Sequence, residues 1–249
     1  VGTGDQSFTP NDNTSYKTVN VNKTSGIFTA TTNPLQVGKL NLLSASQTIF
    51  SQNVQIGTLT TTENSGKITF AKGGTISTAT EILSSGDVTF GTLGEDSTFI
   101  FGAEDVLEDF THNAGTTFFY GTIKAANITL ADCQINKNIV TGDFVADDCI
   151  FNGELTAQNV TVTSLNSTDT ENVKINLSGN FTKNGSSGSV NIGELNILDS
   201  ATLSGALTIG TLKAENLGGK TLTVNNEISV GSMQISGLDE SNKVTITGT

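Results

Sequence analysis

Val190-Asn-Ile192-Gly193-Glu-Leu195 and, seventeen residues on, Leu207-Thr-Ile209-Gly210-Thr-Leu212 share one template. It reads apolar, any residue, apolar, glycine, a small or acidic residue, apolar. The template recurs as Val54-Gln-Ile56-Gly57-Thr-Leu59, Val88-Thr-Phe90-Gly91-Thr-Leu93, Phe118-Phe-Tyr120-Gly121-Thr-Ile123 and Ile228-Ser-Val230-Gly231-Ser-Met233. Its glycines stand 34, 30, 72, 17 and 21 residues apart, near multiples of a 17-to-21-residue unit except for the 30. Alternation with period two puts both leading apolar side chains on one face of a strand. Glycine then permits a bend, and the next apolar residue opens a second short strand. Clusters of turn formers close the unit at Asn64-Ser-Gly66, Ser84-Ser-Gly86, Asn184-Gly-Ser-Ser-Gly188 and Asn225-Asn226.

A unit with so few inward apolar residues cannot bury them alone, but coils stacked on one another share a continuous core. The expected fold is therefore all-β, a three-faced right-handed parallel β-helix of roughly 12 coils. It forms one solenoid domain over residues 1–249, with Gly57, Gly91, Gly121, Gly193, Gly210 and Gly231 at repeat corners. In such a stack Val54, Ile56, Leu59, Val190, Ile192, Leu195, Leu207, Ile209 and Leu212 face the core. A β-sandwich is the alternative, and it calls for tight Asn-Gly hairpins and aromatic core plugs. Trp is absent, Tyr occurs twice, and Asn-Gly appears only at Asn152-Gly153 and Asn184-Gly185. The one helix candidate, Gly102–Asp109, is short enough for a single turn or a loop inserted between coils.

Thr, Gly, Asn and Ser supply 40, 27, 25 and 23 of the 249 residues, and Arg is absent. A net charge of −12 without Arg excludes a basic face for nucleic acid. No apolar run approaches the roughly 18 residues that span a bilayer. Low charge with abundant Thr and Asn suits an extracellular or cell-surface protein. The chain opens at Val1 without a charged stretch followed by an apolar one, so a targeting signal is expected to be removed or to lie outside it. Lys243–Thr249 reads as a strand cut off in progress, and the chain is expected to be a fragment or processed part of a larger surface protein.

Chemistry-bearing residues are few. The step from Cys133 to Cys149 is close to one coil, and the two lie within Ala131-Asp-Cys133-Gln-Ile135 and Ala146-Asp-Asp-Cys149-Ile150. Rungs about 4.8 Å apart would let them stack or form a disulfide. The single histidine, His112, sits in a polar turn and is expected to be solvated. Glu104, Asp105, Glu108 and Asp109 lack the spacing of a calcium loop and read as a solvated loop. Asp147-Asp148 lacks the further carboxylates and the aromatic and basic groups of a polysaccharide-cleaving site. Neither a metal, a cofactor nor catalysis is expected.

Phe-x-x-Asn occurs four times, at Phe8-Thr-Pro-Asn11, Phe50-Ser-Gln-Asn53, Phe110-Thr-His-Asn113 and Phe181-Thr-Lys-Asn184. Phe would end an inward-facing strand and Asn take the corner. With Gly73-Gly-Thr-Ile76 and Ser204-Gly-Ala-Leu207, this pattern resembles the β-helical passenger regions of bacterial autotransporter-type surface proteins, in particular the polymorphic outer-membrane protein family. The resemblance implies a non-enzymatic cell-surface stalk or adhesin passenger. Its partners would be host or neighbouring-cell surface molecules, or copies of itself. The rival functions are a self-assembling subunit of a surface layer or filament, and a carbohydrate-active β-helix enzyme. Residues 95–115 and 178–189, where the strand rhythm breaks, are the expected recognition surfaces.

Overall fold

The computed structural model describes residues 3–167, 173–214, 219–226, 228–236 and 245–248. Strands make up 66 % of the chain and stack in parallel as a β-solenoid of about 11 turns. The chain divides into two compact units, Val1–Lys137 and Asn138–Thr249. The glycine template runs through both and carries no mark of the division. Of the closing stretch, residues 245–248 form a strand, whereas Lys243, Val244 and Thr249 lie outside the described residues.

Each coil of the first unit has three faces. On one face, register places Phe8, Ala30, Phe50, Phe70, Phe90, Phe119 and Ile135 on successive rungs. Four of these rings form a column with centroid separations of 5.0, 5.3 and 5.7 Å from Phe50 to Phe119. Stacked rings at such distances add to the burial of their apolar area. The second face carries Leu35, Val54, Gly74, Phe99 and Ile123 in register. The third includes Val19, Leu40 and Leu59, and further along Ile82, His112 and Leu130.

The second unit repeats this plan with mostly aliphatic columns. Ile139, Leu155, Ile175, Leu195, Leu212 and Met233 share one column. Phe144, Val160, Phe181, Leu203 and Val224 share another. Ile192, Ile209 and Val230 belong to the third face. All nine residues expected in the core are buried, Leu59 being the most accessible at 5 %. The numbering of the first column, from Ile139 to Met233, advances by close to the step inferred from the glycines, so that period is the coil length.

One coil departs from the period. Ile68 pairs with Thr48 before it and Val88 after it, at equal steps, but the next partner of Val88 is Thr117, a step nearly half as long again. The lengthened coil holds an inserted hairpin in which Gly102 pairs with Leu107 and Ala103 with Val106. This pairing is antiparallel. The helix candidate Gly102–Asp109 is therefore a β-hairpin, and Gly102 at φ +100° already lies outside helical backbone. A long coil of this kind lowers the number of turns below the expected 12.

The corner glycines fall into two groups. Gly193, Gly210 and Gly231 occupy successive rungs inside continuous strands. A Cβ on Gly210 would stand 2.7 Å from the Gly193 carbonyl oxygen, and one on Gly231 2.8 Å from that of Gly210. Glycine is needed there because the coils approach too closely for a side chain. Gly57 faces Gly38 in the same manner. Leu35-Gln-Val37-Gly38-Lys-Leu40 is thus a structural counterpart of the template, with Lys39 in place of its small or acidic residue. Gly91 and Gly121 belong to a different corner, where Gly91 adopts φ +92° and its Cβ would meet the Gly121 nitrogen at 2.6 Å.

Candidate interaction surface

Outward positions on the parallel rungs carry short polar ladders. In the second unit Glu154, Lys174 and Glu194 stand on successive rungs. The Lys174 ammonium lies 3.8 Å from both carboxylates. Asn196 donates to Asn176 at 2.8 Å beside this column. Lys213 donates to Glu194 and is the main reason that its carboxyl is held below the usual range. Asn159 likewise donates to Asp143 at 2.8 Å. These contacts join adjacent coils along the stack.

Two segments interrupt the ladders. Within residues 95–115, the hairpin turn Ala103–Val106 projects Glu104, Asp105 and Val106 into solvent, Val106 being 64 % exposed. Asp109 is held at the base of the insertion by a 2.8 Å hydrogen bond from Asn127. Leu93, in the turn before it, is 69 % exposed. Ion pairs of Lys72 with Glu95 and of Lys137 with Asp96 pin that turn. The Lys137 ammonium keeps the Asp96 carboxyl below its usual pKa.

Within residues 178–189, the strand Asn180–Lys183 leads into an exposed turn with Gly185 at φ +68° and Gly188 at φ +74°. The Lys183 ammonium folds back onto the carbonyls of Gly185 and Ser187, at 3.0 and 2.9 Å. An open groove of about 390 Å³ runs beside this turn and is lined in part by Ser186, Ser189 and Thr208. Its walls supply hydroxyls, and Lys183 is its one charged side chain.

Asp147 and Asp148 are both exposed, and Asp148 accepts from Ser164 on the next rung. Glu104 and Asp105 occupy the hairpin turn, whereas Glu108 and Asp109 follow its second strand. Among the described residues no group of three His, Cys, Asp or Glu side chains is arranged to hold a metal ion. No helix among them is long and apolar enough to cross a membrane. Cys133 faces the core of the first unit, in register with Thr117. Cys149 faces the core of the second, in register with Leu165.

His112 corrects an expectation. Its ring is fully buried, because Phe110-Thr-His112 is a strand pointing His112 inward and not a turn. Polar neighbours in sequence concealed this. Thr111 and Asn113 are the outward partners of an alternating strand. Comparison with family models, with curated proteins and with solved structures finds no match for the chain.

Proposed function

We propose that the chain is a non-enzymatic, cell-surface β-solenoid, a stalk or adhesin passenger that presents the lengthened coil to surface molecules of a host or neighbouring cell. The observation that carries this reading is the inserted hairpin. A regular stack of parallel rungs gains no core from it, yet the chain lengthens one coil to build a turn that exposes Val106 among carboxylates. Loops held out from a rigid scaffold are where binding function concentrates. Fold alone assigns no chemistry, so the reading rests on the hairpin.

The test is a cell-binding assay with the purified chain on beads, compared with a variant in which Ala103–Val106 is shortened to a tight two-residue turn. The reading expects bead attachment to fall with the shortened hairpin while β circular dichroism is unchanged. Equal attachment by both chains overturns it.

A further inference from the structure

His112 stands in an inward column between Ile82 on the preceding rung and Leu130 on the following one, so both axial neighbours are apolar. Its Nε2 lies 3.0 Å from the carbonyl oxygen of Ser84, in the turn of the coil before. Its Nδ1 lies 2.8 Å from the Thr117 hydroxyl. A carbonyl can only accept, so Nε2 carries the proton and Nδ1 accepts from Thr117. The neutral ring therefore fills both of its hydrogen-bonding positions. Thr117 lies just beyond the register shift between His112 and Thr116. One side chain thus ties the preceding turn to both ends of an irregularity in the lengthened coil.

We infer that His112 is an acid-sensitive latch that holds the lengthened, hairpin-bearing coil closed against the turn of the preceding coil. A second proton at Nδ1 would make both nitrogens donors, force the Thr117 hydroxyl to give up its donor role, and leave a charge among apolar side chains. The charged groups on the packed elements are few. Glu81 on the strand Thr80–Ile82 and Asp132 on the strand Asn127–Ile135 are exposed and point outward. Asp87, in the turn, attracts the imidazolium but is paired with Lys67 at 2.9 Å. No other charged residue lies on His112's own strand or on Val88–Phe90.

Burial dominates and keeps the imidazole below its ordinary pKa, with the Ser84 carbonyl and Asp87 opposing. Such a base takes its proton when the coil opens. The closed coil is therefore favoured most above about pH 6.5, and the advantage shrinks as pH falls from there toward the depressed value. The latch works in this way whatever the hairpin binds.

Hydrogen exchange of the full chain, corrected for intrinsic rates, tests it at about pH 7.5 and about pH 5.5. Opening of segments 83–87 and 110–119 should rise by up to about tenfold at the lower pH, while segment 190–212 stays unchanged. In His112→Gln, whose amide keeps a donor for Ser84 and an acceptor for Thr117, the two conditions should agree. Equal protection of the wild-type segments at both pH values, or the same acid loss in His112→Gln, overturns the latch. An NMR titration of the wild-type ring decides independently should the variant not fold. A midpoint below about 6.5 is expected, and one at or above it overturns the latch.

Discussion

At the scale of single residues, two positions separate contact from composition. Gly210 is confined by the Gly193 carbonyl, so Gly210→Val should destabilise by about 1 to 3 kcal/mol in a denaturant titration. A neutral result would mean that the shared glycine has no steric role. Thr48 is fully buried, and its hydroxyl has no hydrogen-bond partner. Thr48→Val keeps the shape and removes an unsatisfied group, so stability should rise by up to about 1 kcal/mol. A loss of stability would show that the hydroxyl is satisfied. Neither feature was legible in full. The template displayed the glycines, but nothing in Gln47-Thr-Ile49 marks Thr48 as the inward residue and Ile49 as the outward one.

At the scale of elements, the phenylalanine column sets the first unit apart. Phe50, Phe70 and Phe90 recur at equal spacing, a signal present in the sequence and a better measure of the coil than the glycine at position 91. The Phe-x-x-Asn motif captured only Phe50 of these three and mixed faces by including Phe110, which opens a strand on the third face. Phe70 is sealed between Phe50 and Phe90. Phe70→Ala should cost about 3 to 5 kcal/mol in thermal or chemical unfolding. The outward Phe118, stacked only on Tyr120, is the control, and its replacement should cost about 1 kcal/mol or less. Similar losses at both positions would contradict the inside–outside assignment. The break in rhythm over residues 95–115 and an insertion between coils were legible. The pairing within the hairpin and the inward His112 were not, because polar residues there read as turn although they alternate along strands.

At the scale of the molecule, the parallel stack and its approximate number of turns followed from the repeat, because a short unit of brief strands has few ways to bury its apolar side chains. Function was far less legible, since binding surfaces of repeats are inserts with no period of their own. The expected pairing of Cys133 with Cys149 can be read by counting thiols in the denatured, unreduced chain. None titrated would support the bond, which would contribute on the order of 3 kcal/mol, and two would overturn it.

The central claim is the parallel register itself, which cysteine cross-linking tests most directly. Thr69 and Thr89 are register mates on the outer side of one face, although a full coil of chain separates them. Thr69 and Thr75 are much closer in sequence but lie on different faces. Cysteines at 69 and 89 should form a disulfide on mild oxidation, seen by non-reducing peptide mapping, because neighbouring rungs place Cα atoms about 5 Å apart. Cysteines at 69 and 75 should stay unlinked. Ready linkage of 69 to 75 with none between 69 and 89 would contradict the stacked coil and return the chain to antiparallel hairpins.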